Sequence, residues 1–102
     1  MLKKSEIVVI GLNHETAPVE VRECLAFNSA DNPKVLERMR QEPLVDEVLL
    51  FSTCNRVEFV LATKDSAQAT EAVKNFLSEF KDTPRNTFEH ALYVHEGDEA
   101  VR

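Results

Sequence analysis

Glycine and cysteine are scarce in this sequence, and each shortage excludes a class of function. The two glycines, Gly11 and Gly97, cannot build the Gly-rich loop that cradles the phosphates of a nucleotide. The two cysteines, Cys24 and Cys54, form no CxxC pair, which excludes zinc ribbons and thioredoxin-like redox sites. The three histidines lack metal-ligand spacing with either cysteine. We therefore predict no metal and no nucleotide cofactor bound by this chain.

Long apolar runs and an excess of basic residues are missing too. The apolar runs are short, as at residues 7–10, so we predict no membrane-spanning segment. Residues 1–6 lack the apolar core of a signal peptide, and we expect a cytoplasmic protein with free thiols. The net charge of -6 repels polyanions, which argues against a general nucleic-acid binder. This net charge does not exclude a site that binds only the end of a nucleic acid.

The remaining pattern is that of one folded domain. The chain has 102 residues, of which 43% are hydrophobic and 29% charged, as in soluble globular proteins. The β-branched, apolar run Glu6–Asn13 predicts a central strand buried on both faces. Pro18 suits the first turn of a helix, and the pair Asn32-Pro33 opens a second helix that Pro43 ends.

The second half of the chain predicts two strands, a helix and a last strand. The strands are Glu47–Ser52 and Val57–Thr63, antiparallel neighbours joined by a turn. After Asp65, an apolar stripe at helical spacing predicts a long helix. Residues Thr87–Val94 are predicted as the last strand, and a further helix is predicted to start at residues 97–98. This β-α-β-β-α-β order predicts an α+β, ferredoxin-like split βαβ fold: a four-stranded antiparallel sheet with helices packed on one face.

The turn between the two middle strands, Ser52-Thr53-Cys54-Asn55-Arg56, is the candidate site. In an extended segment residues i and i+2 share a side, which pairs Cys54 with Arg56 and Thr53 with Asn55. A guanidinium beside the thiol favours the reactive thiolate, or it clamps a substrate carboxylate while Cys54 attacks a neighbouring carbonyl. The alternative is structural: a cysteine packed in the hairpin, and an arginine that is solvated or paired with Glu58.

Two motifs carry a resemblance to a known family. "GLNHETAPVEVRECLAF", residues 11–27, and "STCNRVE", residues 52–58, are similar to the N-terminal catalytic domain of glutamyl-tRNA reductase, and "EAVR" at the C-terminus matches the lead-in to that family's next helix. The resemblance implies that residues 1–102 are a single glutamyl-tRNA-binding catalytic domain. It also implies that the NADPH-binding and dimerisation domains are absent from this chain.

The resemblance implies a reaction and roles for four residues. Cys54 aligns with the nucleophile that forms a thioester with the glutamyl group, and Thr53, Asn55 and Arg56 align with the rest of the substrate-binding segment. In the family NADPH then delivers hydride to release glutamate-1-semialdehyde, a precursor of 5-aminolevulinate, haem and other tetrapyrroles. The implied partners are glutamyl-tRNA(Glu), glutamate-1-semialdehyde aminomutase and a second copy of the full-length chain.

Departures from the family pattern lie outside the reactive segment. Cys24 and Glu15 stand where the family commonly has other polar or charged residues. A functionally important histidine of the family would follow directly after Arg102, so this chain alone is not expected to complete the reduction. The rival function is a non-catalytic ferredoxin-like module that binds a ligand or a partner.

Overall fold

An apolar strand at the centre of a four-stranded sheet organises this fold. The computed structural model describes residues 5–53 and 55–97. The central strand β1, Glu6–Asn13, pairs antiparallel with β3 on one side and β4 on the other. Residues 8–12 of β1 are all buried, as a strand with a neighbour on each side requires.

The sheet order is β2-β3-β1-β4, with every neighbouring pair antiparallel. Each helical connection therefore skips one strand, which is the double split βαβ arrangement of a ferredoxin-like fold. The α+β prediction is confirmed. The other elements, in chain order, are α1 (Val19–Leu25), α2 (Asn32–Arg40), β2 (Glu47–Ser52), β3 (Arg56–Thr63), α3 (Ser66–Phe80), 3₁₀ turns at Arg85–Thr87 and Glu89–Ala91, and β4 (Tyr93–Glu96).

The helices cover one face of the sheet and enclose the core. Alternate residues of β3 are buried, because side chains in a strand point to opposite faces. The fully buried side chains come from both layers and include Ile10, Leu12, Phe59, Leu61, Leu25, Val35, Met39, Val73 and Leu77. On the other face of the edge strand β2, Leu49 and Phe51 remain 58% and 44% exposed. The predicted one-sided packing of helices is therefore confirmed.

Most predicted elements match the observed ones to within a residue or two. Helix α3 begins where predicted, since the Asp65 carboxylate accepts a hydrogen bond of 3.1 Å from the backbone N–H of Gln68. Pro18 precedes α1 as its N-cap, and α2 ends at Arg40, before Pro43. Among the described residues the longest helix has 15 residues, and none is long and apolar enough to cross a bilayer.

The prediction of a strand at Thr87–Val94 is wrong for most of its length. Two short 3₁₀ turns occupy this stretch, and β4 begins only at Tyr93. Phe88, which caps the second turn, and Ala91, which ends it, are both buried, and the N–H of Ala91 donates to the carbonyl of Phe88 at 2.9 Å. Burial of these two side chains against the core therefore overrides the β-propensity of the segment. The predicted helix from residue 98 onward lies outside the described residues.

Gly11 marks the closest approach of β1 to its neighbour. It pairs with Glu58 in β3 and with Tyr93 in β4. A Cβ atom at Gly11 would lie 2.3 Å from the carbonyl oxygen of Val57 and 2.8 to 2.9 Å from Cγ and Cα of Glu58. Real side chains do not tolerate such distances, so only glycine fits between these strands.

Replacing Gly11 by alanine should therefore lower the free energy of unfolding strongly. We expect a loss of about 3 kcal/mol, the upper end for overpacking, because two of the three atoms that the new methyl meets belong to the backbone of β3. Urea denaturation followed by circular dichroism measures the change. The control is Gly97→Ala, where no atom lies within 4 Å and the cost is that of a left-handed backbone, about 1 kcal/mol. A Gly11→Ala loss no larger than that of the control would contradict the close approach.

Candidate active site

Two turns meet at the end of the sheet where β1 finishes and β3 begins. Asn13, the last residue of β1, pairs with Arg56, the first residue of β3. The hairpin between β2 and β3 ends at the same place, because Ser52 pairs with Val57. The turn that carries the predicted site residues therefore lies beside the turn that follows β1.

The hydroxyl of Thr53 closes the β2–β3 hairpin. The backbone N–H of Thr53 donates to the carbonyl of Arg56 at 2.8 Å. The return bond does not go to the Thr53 carbonyl: the N–H groups of Asn55 and Arg56 both donate to Thr53 Oγ1, each at 3.2 Å. A threonine side chain thus closes this turn, whereas two-residue hairpins are commonly closed with the sequence Asn-Gly.

The preceding residue fixes the hairpin to the rest of the domain. Ser52 Oγ accepts a hydrogen bond of 2.9 Å from the backbone N–H of Phe27. The Phe27 ring packs edge-on against Phe59 of β3, with ring centroids 6.0 Å apart. The turn is therefore held both by its own hydrogen bonds and by contacts to the segment that follows α1.

The structure places three of the four predicted site residues. Thr53, Asn55 and Arg56 are exposed, whereas Cys54 lies outside the described residues. The prediction that residues i and i+2 share a side assumed an extended segment. The hydrogen bonds that Thr53 makes with Asn55 and Arg56 are those of a turn and not of an extended strand, and the pairing of Cys54 with Arg56 stays a prediction. The functional roles of the four residues stay predictions.

The turn after β1 is also closed by a side chain. Asn13 Oδ1 accepts hydrogen bonds from the backbone N–H groups of Glu15, at 2.9 Å, and Thr16, at 3.1 Å. The N–H of Asn13 itself donates to Thr16 Oγ1 at 3.0 Å. This is an Asx-type turn, in which the asparagine side chain mimics a backbone carbonyl. It fixes the position of Asn13 opposite Arg56.

Arg56, Glu58 and Tyr93 form a chain of contacts on the face of the sheet away from the helices. Arg56 Nη1 lies 3.3 Å from Glu58 Oε1. The other oxygen of that carboxylate, Oε2, accepts a hydrogen bond from the hydroxyl of Tyr93. The Glu58 side chain is only 17% exposed, while that of Arg56 is 52% exposed. The Glu58 side chain in the middle of these contacts is therefore largely enclosed, whereas the Arg56 end faces solvent.

Burial raises the pKa of the Tyr93 phenol above its usual range, and the hydrogen bond to Glu58 and the negative charge of that carboxylate raise it further. The positive charge of Arg56 and a hydrogen bond from Asn13 act in the opposite direction but do not cancel the shift. At neutral pH Tyr93 is thus a neutral hydrogen-bond donor.

A pocket of about 690 Å³ lies over this chain of contacts. Its lining joins the turn after β1 and all four strands through Asn13, Thr16, Phe51, Arg56, Glu58 and Tyr93. The Arg56 guanidinium carbon lies 5.8 Å from the centre of the Phe51 ring, close enough for a cation–π contact. The pocket offers one exposed cation, an aromatic face and several hydrogen-bonding groups, which suits a small substrate that carries a carboxylate. In the described part of the chain, no three metal-ligating side chains converge.

Sequence reasoning did not single out Tyr93 or the glycine between it and Glu58. The sequence indicates Glu58 only as an alternative partner of Arg56, and that pairing is observed. An isolated glycine in a strand pattern indicates close approach of another chain segment, so Gly11 could have pointed to a cross-strand contact. The partner strand β4 could not be identified in the same way, because the sequence pattern predicts a strand from Thr87, whereas β4 begins at Tyr93.

Comparisons with known proteins agree with one another. Residues 10–102 match the family model described as "Glutamyl-tRNAGlu reductase, N-terminal domain". The glutamyl-tRNA reductase of Desulfatibacillum aliphaticivorans is 45% identical over 97 residues, which are 95% of this chain and 22% of that protein. That of Solibacter usitatus is 43% identical over 96 residues, 94% of this chain and 23% of the relative.

A solved structure shows the same fold. The glutamyl-tRNA reductase from Methanopyrus kandleri superposes with a TM-score of 0.55 at 25% sequence identity, over 93% of this chain and 20% of that one. The present chain therefore spans about a fifth of the length of the proteins that it matches.

The ionisation of Tyr93 can be followed directly, because it is the only tyrosine in a chain without tryptophan. We expect the absorbance of tyrosinate at about 295 nm to develop with a midpoint above the ordinary value of about 10 in the folded protein, and near 10 in urea. Glu58→Gln should lower the folded-state midpoint. Because the pKa is raised by folding, this contribution to stability is complete below about pH 10 and is lost as the pH rises through the raised value. A folded-state midpoint equal to that in urea, with circular dichroism unchanged, would show that the phenol is not held by Glu58.

Proposed function

Since this chain belongs to the glutamyl-tRNA reductase family, as its N-terminal domain, we propose that it carries the nucleophile and the glutamyl-binding residues of that enzyme. The substrate is glutamyl-tRNA(Glu), and the product of the whole enzyme is glutamate-1-semialdehyde, a precursor of tetrapyrroles. The observation that supports this most directly is the Thr53–Arg56 turn. Its hydrogen bonds fix the backbone on both sides of Cys54 and present a half-exposed guanidinium at a pocket.

The proposed step is an acyl transfer from oxygen to sulfur. The thiolate of Cys54 attacks the α-carbonyl carbon of the glutamyl ester. A carbon–sulfur bond forms, the bond from that carbon to the ribose oxygen breaks, and the released tRNA hydroxyl takes up a proton. A free cysteine of pKa about 8.5 is only a few per cent thiolate at pH 7, so a positive charge nearby increases the reactive fraction. The thioester that results keeps the carbonyl activated for later reduction.

Arg56 is proposed to hold the γ-carboxylate of the glutamyl group. A guanidinium has five N–H donors in a planar fork that matches a carboxylate in a two-point contact. Among the described residues Arg56 makes one ion pair, through Nη1, so donors remain for a substrate. Thr53 and Asn55 keep the turn in shape and present polar groups at its exposed side.

The described residues offer no fit for NADPH. Gly11 lies inside strand β1, and two glycines in the whole sequence cannot build the Gly-rich loop that cradles a pyrophosphate. We propose that NADPH, which would supply the hydride, binds to another domain of the full-length protein. The remaining proposals follow from the family alone: a homodimer of the full-length chain, transfer of the product to glutamate-1-semialdehyde aminomutase, and a cytoplasmic location.

Incubation of the chain with glutamyl-tRNA should give a covalent adduct on Cys54. We expect intact-mass spectrometry to show one added glutamyl group, and peptide mapping to place it on Cys54, because only a thiol of raised thiolate fraction attacks the ester at neutral pH. Cys54→Ser should abolish the thioester, while Cys24→Ser, the matched change at the exposed second cysteine, should leave it intact. An adduct that survives Cys54→Ser, or that maps to Cys24, would favour the rival function of a non-catalytic binding module.

Replacing Arg56 by lysine should weaken recognition of the glutamyl group while keeping the charge. A point charge cannot reproduce a two-point carboxylate contact, and loss of one charge-assisted hydrogen bond corresponds to about a tenfold rise in the concentration of glutamyl-tRNA needed for half-maximal acylation. The rate of adduct formation against substrate concentration measures this. Arg40→Lys, at an exposed arginine of α2, serves as the control. Equal curves for the two variants would remove the role assigned to Arg56.

A further inference from the structure

The Glu58 carboxylate is shared between two partners of different kind. One oxygen faces the cationic guanidinium of Arg56 at 3.3 Å, and the other accepts the hydrogen bond of the Tyr93 hydroxyl. Among residues 5–53 and 55–97 each oxygen has a single partner, so the carboxylate contacts Arg56 through one oxygen and not through both. This leaves the two-point face of the guanidinium open to a second carboxylate.

The geometry of the sheet makes this arrangement possible. Gly11 lies between Glu58 and Tyr93 in the register of the three strands, and it has no side chain to separate them. Cγ of Glu58 already occupies the space in which a Cβ atom of Gly11 would stand. The two side chains therefore meet across the central strand, 35 residues apart in the sequence.

A second arginine shows what a purely structural network looks like in this protein. Arg85 is held by three side chains: Glu71 at 3.1 Å, Glu89 at 3.0 Å and Asn75 at 3.0 Å. Its guanidinium is used on several sides and ties the first 3₁₀ turn to α3. Arg56, by contrast, is contacted on one side by Glu58 and stays half exposed.

We propose that Glu58 and Tyr93 are positioning residues, which orient the Arg56 guanidinium to bind the carboxylate of the substrate. Cys54 attacks the carbonyl carbon of that same substrate. This inference rests on the proposed function and assigns to it two residues that act through Arg56. The hydroxyl of Tyr93 forms a hydrogen bond with the Glu58 oxygen that would otherwise pair with the guanidinium. That oxygen therefore does not compete with the substrate carboxylate for Arg56. Glu58 in turn prevents the flexible arginine side chain from folding away from the pocket.

Two alkylating reagents of similar size test this without tRNA. Iodoacetate carries a carboxylate and iodoacetamide does not, so the ratio of their reaction rates at Cys54 reports whether a guanidinium receives the carboxylate. Cys24, which is exposed, gives the reference ratio in the same molecule. In the unchanged protein we expect the iodoacetate to iodoacetamide ratio at Cys54 to exceed that at Cys24.

Tyr93→Phe is the decisive variant, because it changes no charge. We expect it to lower the ratio at Cys54 by about threefold, the size of a partly exposed ion-pair effect, while the circular dichroism stays the same. Glu58→Gln should also lower the ratio, although removal of a negative charge would by simple electrostatics raise it. The control Glu47→Gln removes an exposed carboxylate from the edge strand and should not lower the ratio.

The outcomes separate the positioning role from its alternatives. A ratio at Cys54 equal to that at Cys24 in the unchanged protein overturns the proposal, as does an unchanged ratio in Tyr93→Phe or a rise in Glu58→Gln. If Glu58→Gln fails to fold, Tyr93→Phe alone decides. Failure of glutamyl-tRNA to acylate Cys54, with the ratios as expected, would refute the proposed function and leave the positioning of Arg56 standing.

Discussion

The contact between β1 and β3 at Gly11 is the constraint on which the rest of the site depends. The carbonyl of Val57 and the backbone of Glu58 stand where any other residue would place its Cβ atom. Because the sheet order puts β3 on one side of β1 and β4 on the other, the missing side chain allows residues of the two outer neighbours to touch. The fold places β3 and β4 on either side of β1, and the missing side chain of Gly11 leaves room for Glu58 and Tyr93 to form a hydrogen bond across that strand.

The shortage of glycine also explains how the turns beside the site are built. A chain with two glycines cannot use one in every tight turn, and here polar side chains replace backbone flexibility. Asn13 accepts two backbone hydrogen bonds after β1, and Thr53 accepts two between β2 and β3. A turn closed in this way needs a particular side chain at that position, whereas a glycine turn needs only backbone angles that glycine can adopt. Thr53 is therefore structurally required whatever its contact with a substrate.

Elements that depend on neighbouring residues could be predicted from the sequence, whereas those that depend on contacts between distant residues could not. The strand Glu6–Asn13 and the helix after Asp65 are recorded in local patterns of apolar residues and caps, and both were predicted correctly. The segment around Phe88 failed because its structure depends on burial against a core that forms from distant residues. The position of the Thr53–Arg56 turn was predicted, but its hydrogen bonding was not. A threonine hydroxyl that accepts hydrogen bonds in place of a backbone carbonyl leaves no periodic pattern in the sequence. The link from Glu58 to Tyr93 was out of reach, since it requires both the strand order and the true start of β4.

The distance along the chain between the parts of the site has a consequence for its biosynthesis. The hairpin of β2 and β3 is local, so it can pair soon after it leaves the ribosome, and its turn is then closed by Thr53. Glu58 meets its tyrosine only after 35 further residues have been made and β4 has docked on the free edge of β1. The Thr53–Arg56 turn is thus synthesised well before Tyr93, and docking of the last strand is the event that brings Tyr93 to Glu58.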